Sequence, residues 1–180
     1  MSTVQANSTS GLSAREHETG NVDAAVTLVE YGDFECPMCT QAEPLTRHLV
    51  DTYGSRLRFV FRHYPDSAAH PHAELAAEAS EAAAAQGKFW EMHALLFRHS
   101  PHLSAKALTG FAEDIGLDMP RFNNEMADHV YLQRVREHHA AAVGLGLRGT
   151  PSFFVNDKLV DVSFGLNHLE DAVRAALGVA

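Results

Sequence analysis

The chain contains two cysteines, which lie close together in the segment Cys36-Pro37-Met38-Cys39. The preceding residues Val26 to Val29 are apolar and mostly β-branched, and a strand there followed by a helix would place Cys36 at the helix N-terminus. Unpaired backbone N–H groups and the positive end of the helix dipole stabilise an anion at that position. Since the thiolate is the species that attacks a disulfide, this pattern predicts thiol-disulfide exchange.

The elements that position the cysteines follow from the flanking sequence. A first strand is predicted at Val26 to Tyr31, and the next helix begins at the cysteine motif, where Pro37 suits the first helical position. An apolar stripe continues to Gly54, with a kink expected at Pro44. Alternating side chains from Arg56 to Tyr64 predict a second strand. The motif therefore lies between two strands.

The rest of the chain is mainly helical and ends in a compact β-rich segment. From His70 to about Val143 the composition favours helix, and breaks at glycines and prolines divide it into four or five helices, one capped by Ser104. Ser152 to Val155 then predicts a strand, joined by an Asn156-Asp157 turn to a second strand. A final helix is predicted from Leu166 to Leu177.

Composition and charge restrict the class of protein. A length of 180 residues with 46% apolar and 21% charged residues is typical of one globular domain. The 14 basic and 23 acidic residues leave a formal charge of −9, which argues against nucleic acid or an anionic membrane as partner. Residues 1–20 are polar, without the features of a secretory signal. We therefore expect a cytoplasmic protein, where a C-x-x-C pair is redox-active rather than a structural disulfide.

The order of elements resembles a family of known proteins. A strand, a C-x-x-C helix, a strand, a helical block, a Thr-Pro pair, a hairpin and a helix are the layout of the DsbA-like thiol-disulfide oxidoreductases. Four segments look like the branch of that family that lacks a signal sequence: Leu28 to Cys39, Phe59 to Pro65, Gln86 to His93 and Gly149 to Asn156. The resemblance covers the chain from about Val22 onward.

The resemblance implies an α/β fold, namely a thioredoxin-like fold with an all-helical insertion. The implied division is a flexible tail at 1–15, a first half with the C-x-x-C motif at 16–66, a helical insertion at 67–146 and a second half with a cis-proline at 147–180.

The family also implies roles for individual residues. Cys36 is similar to the exposed nucleophile, and Cys39 is similar to the buried resolving thiol. Pro151 looks like the cis-proline beside the disulfide, where Thr150 presents its backbone to a substrate peptide; X-Pro bonds adopt cis at low cost. Glu30 resembles the buried acid that helps to deprotonate the resolving thiol, although strand alternation alone fits a solvated residue equally well. The residues expected to contact substrate are Pro37, Met38, Thr150 and Pro151.

Met38 departs from the pattern of the family. Many strongly oxidising members have a histidine there, which adds a cationic donor for the thiolate. We therefore expect the pKa of Cys36 to lie below the free value of about 8.5 but above the value of about 3.5 of DsbA. Met38 and the aromatic helices also favour an apolar substrate groove over a charged one.

Metal binding is the main alternative for the cysteines and for the 12 histidines. A complete zinc site would need two further ligands, and the sequence has no second C-x-x-C. His70-Pro71-His72 fits either a weak chelate or surface residues at a helix start. His63, at the end of the second strand, could border the site or serve the fold. We expect neither a metal ion nor an organic cofactor.

These observations predict an oxidoreductase that exchanges disulfides with protein or small-molecule thiols through Cys36 and Cys39. Two alternatives remain. One is a glutathione-dependent isomerase or transferase on a related fold, against which Cys39 argues. The other is a non-catalytic redox-gated chaperone or metal carrier. The sequence leaves the oligomeric state open.

Overall fold

The computed structural model describes residues 16–179, so the expected tail at 1–15 lies outside the described residues. The strands are β1 His17–Gly20, β2 Val26–Gly32, β3 Leu57–His63, β4 Ser152–Val155 and β5 Lys158–Val160. The helices are α1 Pro37–Tyr53, α2 Ala73–Ala84, α3 Phe89–His99, α4 Ala105–Asp114, α5 Met119–Ala127, α6 Leu132–Gly144 and α7 Asn167–Leu177. The thioredoxin-like fold with a helical insertion, here α2 to α6 between β3 and β4, is confirmed.

The sheet has the order β1-β3-β2-β4-β5, and its register brings three loops together. Strands β2 and β3 are parallel and end side by side, with Gly32 opposite His63. Strand β4 runs antiparallel to β2 and starts at the same edge, with Ser152 opposite Tyr31. The loop before α1, the loop after β3 and the loop before β4 therefore meet at one edge of the sheet, which is where sites collect in α/β folds.

Both faces of the sheet are covered. On one face Leu28, Phe59 and Phe61 belong to the main core. On the other face Val29 and Val60 belong to a smaller cluster with residues of α6 and the following loop. All residues of β2 except Thr27 are buried, and for this reason its alternation could not settle the position of Glu30.

Several local predictions are confirmed. Ser104 caps α4, because its hydroxyl accepts a hydrogen bond from the amide of Ala107. Asn156 and Asp157 take the left-handed conformation, with φ of 47° and 65°, as a two-residue hairpin turn requires. Helix α1 continues through Pro44. Within residues 16–179, no helix combines the length and the apolar character needed to cross a bilayer.

Two features differ from the prediction. Strand β1 pairs antiparallel with β3 and was not expected, because its four residues, His-Glu-Thr-Gly, are too short and polar to show a strand pattern. The segment between α5 and α6 breaks the helix although it contains neither glycine nor proline. His129 adopts a φ of 51° there, and its imidazole Nδ1 lies 3.1 Å from the carboxylate of Glu78.

Candidate active site

Cys36 occupies the N-cap position of α1. Its backbone is extended, with φ of −72° and ψ of 122°, and Pro37 follows at the start of the helix. The Cys36 carbonyl accepts the first helical hydrogen bond from the amide of Thr40, at 3.1 Å. The thiol therefore lies where the backbone N–H groups of the first turn have no partner in the helix, as the sequence predicted.

The loop before β4 contacts this thiol. The Thr150–Pro151 peptide bond is cis, as predicted, and the carbonyl oxygen of Thr150 lies 3.4 Å from the Sγ of Cys36. The protonated thiol can donate to this oxygen. Thr150 and Pro151 are therefore placed beside the nucleophile, while their contact with substrate stays a prediction.

The pKa of Cys36 is lowered to about 5, and the largest cause is a hydrogen bond from the Cys39 thiol. Burial opposes this effect, whereas the Thr150 side chain and the backbone amides of Cys39 and Met38 support it. Cys36 is 6% exposed, so it is less open to solvent than the exposed nucleophile that the resemblance implied. All of these donors favour the thiolate over the thiol. The value lies between those of a free cysteine and of DsbA, which agrees with the expectation for a motif that contains Met38.

Cys39 has the opposite character. It is completely buried, and burial is the largest cause that raises its pKa well above the ordinary value. Its hydrogen bond to Cys36 and the charges of Glu30 and Cys36 raise the pKa further, while the amide of Asp33 opposes them. One thiol of the pair is therefore ionised at neutral pH and the other is protonated.

Glu30 lies in the middle of β2 and is only 1% exposed. Among the described residues its Oε1 has no hydrogen-bond partner. Burial, followed by the negative charges of Glu43 and Cys36, raises the pKa of Glu30 to about 8. Glu30 is therefore a buried acid that can hold or release a proton near neutral pH. Its negative charge is one of the causes that raise the pKa of Cys39.

Two acid–histidine pairs flank the motif, and sequence reasoning missed both. The carboxylate of Asp33 lies 2.8 Å from Nδ1 of His70, and that of Glu35 lies 2.9 Å from Nδ1 of His72. Both pairs span 37 residues, because the loops after the parallel strands β2 and β3 lie side by side. Both histidines are therefore bound to buried acids, while Pro71 is exposed and the His72 side chain is 42% exposed at the start of α2, as expected of surface residues at a helix start.

A cavity of about 760 Å³ opens beside the nucleophile, and we call it the Cys36 cavity. Its lining includes Cys36 and Thr150 together with the ionisable side chains of Tyr64, Asp66, His70, Glu74, Arg136, His139 and Arg148. The lining also includes the apolar residues Pro65, Ala68 and Val135, so the cavity is mixed in character and the expected apolar groove stays a prediction. The aromatic residues Phe89 and Phe97 are buried in the core, so the insertion presents charged residues of α2 and α6 here. Pro37 and Met38 do not line this cavity. Both are exposed on the surface, directly after Cys36 in the chain.

A second polar cluster lies inside the protein, away from this cavity. One oxygen of Glu81 lies 2.7 Å from Nε2 of His17, 2.9 Å from Nε2 of His63 and 2.9 Å from Nε of Arg134. We call these four residues the Glu81 cluster. The two imidazoles and the carboxylate are close enough to share a metal ion, but the guanidinium at the same oxygen competes with a cation. The cluster therefore fits ion pairing better, and His63 serves the fold rather than the site.

The comparisons agree with this fold. The family model described as Thioredoxin matches residues 13–175. A thioredoxin-like oxidoreductase from Silicibacter pomeroyi DSS-3 is 32% identical, with a TM-score of 0.79 over 92% of this chain and 94% of that one. Oxidised BdbD from Bacillus subtilis shares the fold at 21% identity, with a TM-score of 0.81 over 91% of this chain and 93% of that one.

Curated relatives are longer. The Na(+)/H(+) antiporter NhaA 1 of Salinispora arenicola (strain CNS-205) is 45% identical over 162 residues, which are 90% of this chain and 25% of that protein. The antiporter NhaA of Herminiimonas arsenicoxydans is 40% identical over 161 residues, 89% of this chain and 25% of that protein. The chain thus spans about a quarter of the length of these relatives. On the evidence of the family model and of the solved structures, the chain belongs to the thioredoxin family and has the DsbA-like form of its fold.

Proposed function

We propose that this protein exchanges disulfides with protein or small-molecule thiols through the Cys36-Cys39 pair. The observation that carries the proposal is the opposite ionisation of the two thiols. The pKa of Cys36 is lowered to about 5 and that of Cys39 is raised well above its ordinary value. A thiolate beside a protonated partner is the form in which a dithiol attacks a disulfide and then resolves the product.

The reaction proceeds in two exchanges. The Cys36 thiolate attacks one sulfur of a substrate disulfide, forms a mixed disulfide and displaces the other sulfur, which leaves with the electron pair of the broken bond. Cys39 then loses its proton and attacks the sulfur of Cys36, which closes the protein disulfide and releases the second substrate thiolate. Two electrons pass from the protein dithiol to the substrate. The reverse sequence oxidises a substrate dithiol.

Glu30 is the proposed acceptor of the Cys39 proton. Its pKa of about 8 leaves it able to exchange protons near neutral pH, and its charge acts on Cys39. Thr150 and Pro151, beside Cys36, and the exposed Pro37 and Met38 are the proposed contacts for the substrate backbone. No organic cofactor enters either exchange.

Turnover of a disulfide substrate with single cysteine variants tests the proposal. Insulin reduction should be abolished by Cys36→Ser. Cys39→Ser should instead accumulate a mixed disulfide, visible by mass spectrometry and released by reductant. Equal turnover by the wild type and by both variants would contradict the catalytic function.

The alternatives give different results in the same experiments. A glutathione-dependent isomerase would retain its activity in Cys39→Ser, and a metal carrier would retain stoichiometric zinc after dialysis. The names of the longer relatives describe ion transport, and we do not extend that activity to this chain. The cytoplasmic location is a proposal as well, and cell fractionation of the natural host tests it.

A further inference from the structure

We propose that His70, oriented by the buried Asp33, is the proton donor to the thiolate that leaves when Cys36 attacks a substrate disulfide. The inference rests on the proposed function and adds a catalytic group to it. The C-x-x-C motif itself offers no such group, because Met38 has a thioether in place of a titratable side chain.

The first argument is the way in which Asp33 is held. Its side chain is completely buried, and its two oxygens accept hydrogen bonds from the backbone amides of Glu35, at 2.8 Å, and Asp66, at 2.9 Å. The oxygen that faces Asp66 is also 2.8 Å from Nδ1 of His70. Two backbone bonds therefore fix a carboxylate whose remaining contact is the imidazole.

The second argument is the direction of the ring. With Nδ1 directed at Asp33, Nε2 lies at the opposite end of the imidazole and points away from the carboxylate. The side chain of His70 is 23% exposed and lines the Cys36 cavity. A buried acid that orients an imidazole toward the cavity of a nucleophile is the arrangement of general acid–base catalysis.

The third argument is the charge around the ring. Burial opposes protonation of His70, but the hydrogen bond and the charge of Asp33 raise its pKa above the ordinary value, helped by the charges of Cys36 and Asp66. These charges therefore favour the protonated ring over the neutral one, and the protonated ring carries at Nε2 the proton that the step needs. The other ionisable groups that line the cavity are Tyr64, Glu74, Arg136, His139 and Arg148.

The step balances without a further reactant. The Cys36 thiolate forms a bond to one sulfur of the substrate while the bond between the two substrate sulfurs breaks. The departing sulfur takes the electron pair of that bond and the proton from Nε2 of His70, and leaves as a neutral thiol. The neutral imidazole regains its proton from water before the next exchange.

The chain supplies two matched controls. His72 has the same kind of partner, a glutamate carboxylate 2.9 Å from its Nδ1, but it does not line the Cys36 cavity. His139 lines the cavity, and within residues 16–179 it has no carboxylate partner; its ring contacts Tyr64. Only His70 combines the two properties among these three histidines.

The test varies the leaving group. The reduced protein is mixed with one of two disulfides, and attack by Cys36 is followed in a single turnover. Hydroxyethyl disulfide releases an alkyl thiolate, which needs a proton, whereas dipyridyl disulfide releases an aromatic thiolate, which is stable without one. His70→Asn keeps a donor toward Asp33 but cannot titrate. We expect it to slow the alkyl reaction at neutral pH by about a hundred-fold and to leave the aromatic reaction nearly unchanged.

The controls and the pH dependence complete the test. His72→Asn should react with both disulfides like the wild type, and His139→Asn should keep the wild-type ratio of the alkyl to the aromatic rate constant. For the wild type, the rate constant with the alkyl disulfide, divided by the fraction of Cys36 that is ionised, should fall at rising pH because His70 loses its proton. His70→Asn should not show this fall. Equal slowing of both disulfides by His70→Asn, or no slowing of either, would overturn the inference. The aromatic reaction also reports folding of each variant, and His70→Gln replaces the asparagine variant if that variant fails to fold.

Failure of the proposed function gives a distinct result. In that case Cys36→Ser would react with both disulfides as fast as the wild type. If Cys36→Ser abolishes both reactions and His70→Asn changes neither, the exchange function stands and the role of His70 is wrong.

Discussion

The backbone amide of Asp33 donates a hydrogen bond to the Sγ of Cys39 at 3.5 Å. This bond favours the Cys39 thiolate, whereas burial and the charge of Cys36 oppose it. When Cys36 enters a mixed disulfide, its negative charge disappears and one opposing cause is removed. The Asp33 amide is then already in place for the new thiolate, so the resolving thiol becomes easier to ionise at the stage when it must react.

The hydroxyl of Thr150 is expected to tune the nucleophile. Thr150→Val removes the side-chain hydrogen bond that lowers the pKa of Cys36 and keeps the shape of the side chain. Because a hydrogen bond to a charged group contributes about 1.5–3 kcal/mol, the Cys36 pKa should rise by about one pH unit. The pH dependence of alkylation by iodoacetamide measures it.

Thr40→Val is the control for this change, since the Thr40 hydroxyl bonds to the carbonyl of Cys36 and not to its sulfur. An equal rise of the Cys36 pKa in both variants would show that the Thr150 hydroxyl has no specific effect.

Ionisation of Cys36 should stabilise the reduced protein at neutral and alkaline pH. The folded pKa of about 5 lies below the value of an unfolded cysteine, so the stabilisation is complete above the unfolded pKa and is lost as the pH falls through 5. The free energy of unfolding of the reduced wild type, relative to Cys36→Ala, should rise by about 2 kcal/mol between pH 5 and pH 7. Urea unfolding under reductant measures the difference, and a difference that stays constant with pH would contradict a low Cys36 pKa.

Glu30 should weaken the fold as the pH rises. The pKa of Glu30 in the folded protein, about 8, is raised above that of a glutamate in the unfolded chain. The contribution of protonated Glu30 to stability is therefore complete below the pKa of the unfolded chain and is lost as the pH rises through 8. Glu30→Gln should therefore leave stability unchanged near pH 4 and increase it by about 3 kcal/mol at pH 7. Thermal or urea unfolding checks this, with the exposed Glu113→Gln as the control for loss of charge.

The Glu81 cluster should contribute strongly to stability. Burial opposes the charge of Glu81, but the hydrogen bonds of His17 and His63 hold its pKa well below the usual range. Glu81→Gln removes the buried carboxylate to which His17, His63 and Arg134 donate, and breaking this buried ion-pair network should cost about 3 kcal/mol in urea unfolding at pH 7.

Glu78→Gln is the matched control on the same helix. Glu78 is also buried, but its partner His129 is 56% exposed, and burial raises the pKa of Glu78. We expect a smaller loss there, and equal losses would mean that the three donors around Glu81 add nothing.

The sequence predicted those parts of the fold that depend on local pattern. The C-x-x-C helix start, the hairpin turn and the central strands follow from residue type and spacing, whereas the cis-proline was implied by the resemblance to the family. Strand β1 could not be predicted, because its four residues show no strand pattern of their own. It forms by pairing with β3, where His17 lies opposite Phe61. The break at His129 depends on its contact with Glu78, which is 51 residues away.

The site was predicted only within the motif. Cys36 and Cys39 can be recognised from their spacing. The contact between Asp33 and His70 forms only when β2 and β3 have paired, so the sequence does not show it. Asp33 and Glu35 near the first cysteine, with two histidines at the start of α2, could have suggested an ionic contact. The charged residues that line the cavity were missed for a related reason, since they come from elements far from the motif in sequence, while the aromatic residues Phe89 and Phe97 of α3 face the core.

The Glu81 cluster also limits how the two layers can move. Its members come from β1, β3, α2 and α6, and the glutamate side chain is only 4% exposed. Tilting the helices against the strands would separate this carboxylate from its donors in a place that water hardly reaches, which carries a high energetic cost. We therefore expect the four elements that meet at Glu81 to stay rigid as one platform beneath the Cys36 cavity.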